Sequence, residues 1–450
     1  MKSPTGFIRP LLTLLLLPLW AGIGIADDHK NDQMAQILEI LNAQAAEIAA
    51  LKARLTEAED VILSTNVPQN PNVVGAAGSR RSPISSKKRA RASEWAEKTS
   101  IGGYGELHYN NLNGENGASD SSKTDFHRLV LFVGHEFNDW ARFASEIEFE
   151  HSHIGEGKGG EVVVELAWLE LDLSENHHFR AGADILPIGI MNLTHEPTTF
   201  YGVERNMVEA EVIPATWTEA AAGLWGTLVP GLNYNIFAHT GLVVPTSGSN
   251  AMRVRNGRKK VASATDQDLA ILGRISYTGI PGLEASMTLD YQTDYTGTED
   301  SIEADAILSE AHIDYKHSSG FGLRALYARW DFGKDTSASF DPSKVGADEV
   351  EGWYVEPSYK FDMPTRLPGE LGIFVRYQEW NEHDDESNYN LLTNSGTAKL
   401  FTKRDMFTVG ANYWPTPSIV FKIDGQFEDS NGSPSSGSHD GLNLGLGFQF

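Results

Sequence analysis

The sequence GLNLGLGFQF, residues 441–450, alternates strictly between apolar residues and small or polar ones. Its apolar positions are Leu442, Leu444, Leu446, Phe448 and Phe450. Successive side chains of a strand point to opposite faces, so this period of two predicts a strand with one fully apolar face. The stretch therefore belongs to a sheet whose two faces meet different surroundings.

The same period recurs in strand after strand between residues 99 and 450. Clear examples are WARFASEIEFE at 140–150, GLEASMTLDY at 282–291 and SIVFKIDGQF at 418–427. Seven short turns alternate with eight longer polar loops, so that fifteen connections join 16 strands. The longer loops span residues 110–124, 152–160, 187–216, 241–265, 292–301, 331–348, 381–398 and 429–440. This organisation predicts an all-β fold in which the last strand closes against the first.

Alternation alone fits a soluble sandwich or a membrane barrel, because both have one apolar and one polar strand face. Three features favour a 16-stranded antiparallel transmembrane β-barrel in an outer membrane. Short turns and long loops lie at opposite ends, the strands are about 10–12 residues long, and aromatic residues lie near strand ends. The aromatic residues expected to form membrane girdles are Tyr104, Tyr109, Trp140, Trp168, Tyr277, Tyr291, Trp330, Trp353, Trp380, Tyr413 and Trp414.

Three regions precede the barrel domain, residues 99–450. Residues 1–26 have a charged start and a long apolar run, which predicts a secretory signal peptide. Residues 27–63 carry apolar residues at heptad spacing and predict a periplasmic coiled-coil helix; an amphipathic helix packed on a globular domain is the alternative. Residues 64–98 form a Pro-, Gly- and Ser-rich linker with six cations between positions 80 and 91. That basic cluster fits a solvated linker or attraction to anionic headgroups and cell-wall carboxylates.

Composition limits the function classes. The chain has no cysteine and a net charge of −25, which argues against thiolate chemistry and general nucleic-acid binding. It contains no nucleophile elbow, HExxH motif, P-loop or dinucleotide fingerprint, so we expect neither an enzyme nor a cofactor. His151 and His153 could contact a transition-metal ion beside Glu150. Surface-loop histidines are the favoured interpretation, and we predict no metal site.

Two stretches resemble the phosphate- and polyphosphate-selective porins, the porin O and P type of outer-membrane porin. The first is ADILPIGIMNLTHEPTTFYGVERNMVEAEVIPATWTEAAAGLWG at 183–226, which looks like the third-loop region of that family. The second is the terminal GLGFQF, which is similar to the assembly signal of many outer-membrane proteins. The resemblance covers residues 99–450 and implies a 16-stranded, homotrimeric porin whose third loop folds into the lumen.

Loop 187–216 is the candidate constriction, because 30 residues are too many for a passive hairpin connection. We expect its single arginine to face carboxylates across a narrow gap and to create a transverse field; an outer cap on the barrel rim is the alternative. The constriction residues are Arg205, Glu196, Glu204, Glu209 and Glu211. The residues expected to line the pore are Arg142, Glu146, Glu148, Arg180, Asp184, Glu219, Arg274 and Arg376.

The stretch MRVRNGRKK, residues 252–260, places a basic cluster in the fourth long loop. Its cations are Arg253, Arg255, Arg258, Lys259 and Lys260. The cluster fits a solvated tip or a contact with lipopolysaccharide phosphate, and it also fits an anion-attracting group at a channel mouth.

The phosphate selectivity of the porin family that this sequence resembles rests on cations that line the pore. Loop 187–216 holds one cation against several carboxylates, so the resemblance does not fix the solute.

The combined prediction is an outer-membrane porin that passes small polar or ionic solutes through a lumen narrowed by loop 187–216. A phosphate- or anion-selective porin is the alternative, and a structural tether to the cell wall is an alternative of another class. The expected partners are two further copies in a homotrimer, outer-membrane lipid and lipopolysaccharide. We also expect the barrel-assembly machinery to recognise Phe450. No nucleic-acid partner is expected.

Overall fold

The computed structural model describes residues 95–450 apart from 156, 158, 247–249, 263–268, 298–302, 336–340, 343–347, 365, 382–402 and 431–436. The predicted signal peptide and coiled coil, and nearly all of the basic linker, lie outside the described residues. Among the described residues, no helix is both long and apolar enough to cross a membrane.

Sixteen antiparallel strands form one closed barrel in which each strand pairs with its sequence neighbours and β1 pairs with β16. The strands are β1 Thr99–Glu115, β2 Ser121–Asn138, β3 Ala141–Glu150, β4 Val162–Asp172, β5 His177–Ile185, β6 Thr218–Val229, β7 Leu232–Thr240, β8 Leu269–Tyr277, β9 Leu283–Gln292, β10 Ala306–Lys316, β11 Phe321–Phe332, β12 Glu349–Asp362, β13 Glu370–Asn381, β14 Arg404–Thr416, β15 Ile419–Ser430 and β16 Ser438–Gln449. The predicted fold class is confirmed for the barrel. The closing pair runs from Tyr104 opposite Gln449 to Glu115 opposite Ser438.

Strand β8 shows how the alternating sequence produces the two surfaces of the barrel. Leu269, Ile271 and Ile275 are more than half exposed on the outside. Arg274 and Ser276, at the alternate positions, are buried inside. The outward apolar band continues on β9, where Met287 is 70% exposed. In water such a band would be unfavourable at about 25 cal/mol per Å², so the outer surface is suited to an apolar environment.

The predicted first loop, residues 110–124, is wrong in its extent. Strand β1 continues to Glu115, and only residues 116–120 connect it to β2. The polar residues there misled the prediction because they alternate within a strand. Asn110, for example, points inward and donates hydrogen bonds to Asn443 and Glu204. Polarity in this barrel therefore marks the inner face as well as the loops.

The inside of the barrel is filled on one side by two long loops. Loop L3, residues 186–217, joins β5 to β6, and loop L4, residues 241–268, joins β7 to β8. Their apolar residues form a buried cluster with inward side chains of the wall strands. The largest members are Trp217 of L3, Trp330 of β11 and Trp380 of β13, all almost fully buried. Truncating a buried tryptophan costs about 3–5 kcal/mol, so this packing fixes the loops strongly.

This inner cluster also corrects the predicted aromatic girdles. Trp330 donates its indole N–H to the Val212 carbonyl of L3 at 2.9 Å, and Trp414 donates to Thr198 of L3 at 3.1 Å. Tyr104 is fully buried below the Arg128 guanidinium. The girdle assignment was wrong for Tyr104, Trp330, Trp380 and Trp414, because each points into the barrel, where a loop covers it.

Candidate functional site

Loop L3 descends through the barrel to the end where the short turns lie. Thr198 Oγ1 accepts a hydrogen bond from Gln449 Nε2 at 2.5 Å, and Gln449 is the last residue of β16. The wall strands hold this low segment by its backbone carbonyls: Arg128 donates to His195 at 2.9 Å and Arg376 donates to Tyr201 at 2.7 Å. Two strands that are not neighbours in the barrel, β2 and β13, therefore hold the same loop.

Glycines of β16 allow L3 to approach the wall. A Cβ placed on Gly447 would lie 2.5 Å from Pro197 Cβ, and one on Gly445 would lie 3.3 Å from both methyl groups of Val203. A side chain at Gly447 would therefore occupy space that L3 takes. The small residues between the leucines of GLNLGLGFQF are part of how this loop packs against the barrel wall.

Glu209 organises the upper part of L3. It lies in the short π-helical turn Val208–Val212 and is fully buried. One carboxylate oxygen accepts the backbone N–H groups of Ile190 and Met191 at 2.6 Å each. The other accepts from Asn206 and from the Tyr354 hydroxyl of β12 at 2.9 Å. The carboxylate thus ties the beginning of L3 to its middle and to the wall.

Loop L4 docks on L3 through two arginines. Arg255 donates to the carbonyls of Ala210 and Ala215 at 2.6 and 3.2 Å. Arg258 donates to the carbonyls of Pro214 and Thr216 at 3.1 and 2.8 Å. Neither guanidinium forms an ion pair with a carboxylate in the part of the chain that the structure describes. Their charges are held by neutral acceptors and remain available to a solute.

A cavity of about 480 Å³ lies between these loops and the wall strands β1–β4 and β13–β16. Its lining cations are Lys123, Arg128, Arg205, Arg255, Arg258, Lys260 and Arg376. Its lining carboxylates are Glu106, Asp125, Glu148, Glu150, Glu165, Glu204, Asp424 and Glu428. Cations and acids are nearly balanced here, unlike the strongly acidic chain as a whole, so the cavity is a distinct electrostatic environment.

The two loops supply most of the cations of this cavity, and the wall strands supply most of its carboxylates. Arg205, Arg255 and Arg258 come from the two loops, whereas most of the carboxylates come from the wall. Burial lowers the pKa of the Arg258 guanidinium, and repulsion from the nearby Arg255 and Arg205 lowers it further. Arg205 has no hydrogen-bond or ion-pair partner among the described residues. An anion placed among these arginines would relieve that repulsion.

Glu204 connects L3 to strand β1 at the edge of the cavity. Its carboxylate accepts hydrogen bonds from His108 Nδ1 at 3.1 Å and Asn110 Nδ2 at 2.9 Å. Burial raises the pKa of Glu204, but these hydrogen bonds and the His108 charge outweigh it and lower the pKa to about 2. The side chain is 45% exposed, so water weakens the contact. Glu204 is an anchor that remains accessible to a solute.

The predicted constriction residues separate into two groups. Arg205 and Glu204 line the cavity, whereas Glu196, Glu209 and Glu211 do not. The expectation that Glu209 faces Arg205 across a gap needs correction, because backbone N–H groups of L3 surround its buried carboxylate. Glu211 instead pairs with Arg253 of L4 at 3.2 Å.

Glu148 and Arg376, among the predicted pore-lining residues, line the cavity. The others lie elsewhere in the barrel, mostly in local pairs. Arg142 and Arg180 share Glu170 at 2.8 and 2.7 Å, and Arg180 also contacts Asp184. Arg274 pairs with Glu284, Glu219 accepts from Trp217 and Thr240, and Glu146 lies beside His195. Strand alternation therefore predicts more lining residues than the cavity has, because an inward side chain can lie in a local ion pair away from the cavity.

The basic cluster of L4 is also divided. Arg255, Arg258 and Lys260 line the cavity. Arg253 is outside it and forms an ion pair with Glu211, and Lys259 is exposed.

The sequence did not lead us to the inner face of β1, where the polar residues Glu106, His108 and Asn110 recur at every second position. Three polar residues at a strict period of two were the signal that could have found it.

Comparisons of the sequence with known proteins do not identify a family. No protein-family profile matches the chain. A protein of Aquifex aeolicus (strain VF5), itself of uncharacterised function, is 29% identical over 345 residues, which are 73% of this chain and 76% of that protein. The resemblance to phosphate-selective porins therefore rests on the two sequence stretches alone.

Three solved structures superpose with a TM-score of 0.51 each. The anion-selective porin of Comamonas acidovorans is 13% identical and covers 78% of this chain and 99% of its own. The outer-membrane channel DcaP of Acinetobacter baumannii, also 13% identical, covers 78% and 97%. OprB of Pseudomonas putida is 12% identical and covers 81% and 96%. The chain shares the fold of outer-membrane porins. At these identities the likeness concerns the fold and not the solute.

Proposed function

We propose that this chain is an outer-membrane porin whose lumen, narrowed by L3 and L4, passes small polar or ionic solutes. The observation that carries the proposal is the closed barrel, which has an apolar outer band and an inner cavity of about 480 Å³ lined by charged side chains. A charged, water-accessible cavity inside an apolar shell provides a path for solutes that lipid excludes.

The finer parts of the proposal rest on the sequence. A homotrimer follows from the resemblance to porins, recognition by the assembly machinery follows from the terminal Phe450, and a periplasmic N-terminal segment follows from the heptads. Lipid would cover the outer band, and lipopolysaccharide would contact the long loops. We expect no enzymatic role for the barrel, because the sequence carries none of the catalytic motifs named above.

The full-length protein reconstituted into a planar bilayer tests the channel. Stepwise conductance increments in KCl are expected. A correctly folded protein that gives none would favour the competing role, a structural tether in which the barrel is closed and the N-terminal segment holds the cell wall. Folding is checked independently by the change in gel mobility that a β-barrel shows when it is heated.

Anion preference, including phosphate, is the second candidate, and one observation favours it. Arg205, Arg255 and Arg258 converge on the cavity, and none of them is paired with a described carboxylate. Guanidinium groups bind phosphate and carboxylate oxygens through directed hydrogen bonds. The reversal potential in a KCl gradient decides between the candidates. A chloride-selective value, with current reduced by added phosphate, supports anion preference, whereas a cation-selective value supports an acidic lumen.

A further inference from the structure

Three buried atoms with no hydrogen-bond partner meet at the low end of L3. They are Oε2 of Glu146 on β3, Oε2 of Glu165 on β4 and Nε2 of His195 on L3. His195 Nε2 lies 3.8 Å from the Glu146 oxygen and 3.7 Å from the Glu165 oxygen. A side-chain atom of each residue lies within 4.8 Å of the other two. Unsatisfied buried polar atoms are rare in folded proteins, and three at one point require an explanation.

The other atoms of these side chains are already bonded. His195 Nδ1 lies 3.1 Å from the Asn192 carbonyl, which can only accept, so this nitrogen carries the proton. Glu165 Oε1 accepts from the Thr216 hydroxyl at 2.8 Å. A histidine that donates one nitrogen to a carbonyl and leaves the other free is oriented as metal-binding histidines are.

A direct ion pair explains the group less well. Hydrogen bonds between nitrogen and oxygen end near 3.2 Å, and both histidine distances exceed that limit. Zinc ligands at about 2.0–2.2 Å from the ion are separated by about 3.4 Å in a tetrahedral site. The two histidine–carboxylate separations need a contraction of only a few tenths of an ångström, and the two carboxylates lie within 4.8 Å of each other.

We propose that Glu146, Glu165 and His195 bind a divalent transition-metal ion, for which Zn²⁺ is the best match. One imidazole nitrogen and two carboxylate oxygens are a ligand set that zinc accepts, with water completing the coordination. The charges around the group favour a cation: among the described residues, Glu148 and Glu196 add to the two carboxylate ligands, and Arg128 and Arg205 oppose them.

The ion would join L3 to two wall strands. His195 belongs to the loop, its carbonyl already accepts from Arg128 of β2, and the two glutamates belong to β3 and β4. Metal binding would add a coordination bond to the hydrogen bonds that hold the low end of L3. Binding does not depend on solute passage, so a failure of the channel proposal would leave this site unaffected.

A second group of similar composition provides the control. Glu170, Asp172 and His178 also bring ligand atoms within 4.8 Å of one another. Arg142 and Arg180 already neutralise Glu170, and Arg142 also pairs with Asp172. His178 Nδ1 is bonded to Asp172 at 2.5 Å. The carboxylates of Glu170 and Asp172 already have cationic partners, so no metal ion is expected at this second group.

The test titrates Zn²⁺ into the full-length protein in detergent, after treatment with a chelator, by isothermal calorimetry. Wild type and His178→Gln are expected to bind one ion per chain with the same affinity. His195→Gln is expected to weaken binding by about 100-fold or more, since loss of a group that only hydrogen-bonds to a ligand already costs about 10- to 100-fold. Absence of wild-type binding at micromolar Zn²⁺, or equal binding by His195→Gln, would overturn the assignment.

Co²⁺ gives an independent readout. Its visible absorption bands should appear in wild type and His178→Gln and disappear in His195→Gln. Glu146→Gln, at a half-buried wall position, serves as a second ligand variant should His195→Gln fail the heat-dependent gel-mobility test for folding. It should lose most of the affinity. Retention of wild-type affinity by a folded Glu146→Gln protein would count against the site.

Discussion

The Glu204 carboxylate of L3 lies 3.1 Å from His108 Nδ1 of β1, and the other nitrogen of the same ring lies 3.2 Å from Glu106. Both nitrogens donate only when the imidazole is charged, so one imidazolium can bridge the loop and the wall. Arg128 contacts Glu106 at 2.5 Å and continues the network to the His195 carbonyl. The position of L3 is therefore set by charges of the barrel wall as well as by apolar packing.

The Glu204 anchor predicts a pH dependence. Because its pKa is lowered from 4.5 to about 2 in the folded protein, its stabilisation is fully present above about pH 4.5 and is lost as pH falls toward 2. Wild type should unfold about 1–2 °C above Glu204→Gln at pH 7 and pH 5, and this difference should vanish near pH 2. Heat-dependent gel mobility measures the transitions. Glu196→Gln, in the same loop, is the control and should match wild type throughout; a difference that grows on acidification would contradict the anchor.

The loop arginines predict a change in ion preference. Replacing Arg255 and Arg258 together by glutamine removes two charges and keeps amide donors for the L3 carbonyls. The chloride-to-potassium permeability ratio should fall by about 2- to 10-fold, because the local anion concentration falls with the positive potential. The reversal potential in a KCl gradient measures the ratio. Lys259→Gln, on the exposed side of the same loop, should leave it unchanged. If Lys259→Gln lowered the permeability ratio as much as the double replacement, the effect would come from the total charge at the channel mouth and not from the arginines of the cavity.

Glu209 predicts a large loss of stability on substitution. Glu209→Ala leaves the N–H groups of Ile190 and Met191 and the Tyr354 hydroxyl without their acceptor in a buried region. The expected cost is about 3 kcal/mol or more, because each bond to the carboxylate contributes about 1.5–3 kcal/mol. Urea unfolding measures it, and proteolysis should reveal a more accessible L3. Glu211→Ala, in the same π-helical turn, removes one ion pair with Arg253 and leaves no backbone N–H without its acceptor, so it should cost clearly less than Glu209→Ala; comparable losses would remove the special role of Glu209.

Gly447 predicts a steric effect of a single methyl group. The Cβ of Gly447→Ala would lie 2.5 Å from Pro197, so either the loop or the strand must shift. We expect a loss of about 1–3 kcal/mol in stability and a changed conductance. Gly273→Ala, on the outer face of β8 with open space around it, is the matched control and should be neutral. If the two variants lose the same stability, the cost of Gly447→Ala comes from the strand itself and not from a clash with L3.

Local alternation was enough to predict the barrel and the inward position of most polar strand residues. Asn110, inside a predicted loop, and Trp330, in a predicted girdle, were placed wrongly for one reason. Each has its partner on L3 or on a strand distant in sequence. The cavity arginines show the same limit, since Arg255 binds Ala210 carbonyl oxygen across 45 positions. No local pattern records such a contact.

GLNLGLGFQF alone determined a strand with an apolar outer face, because side-chain direction in a strand follows from backbone geometry. Only the tertiary structure decided what the small residues on its inner face do. Pro197 and Val203 of L3 pack over Gly447 and Gly445. Loop packing depends on contacts between segments far apart in the chain. The shape and charge of the cavity were therefore fixed only when L3 and L4 folded against the closed barrel.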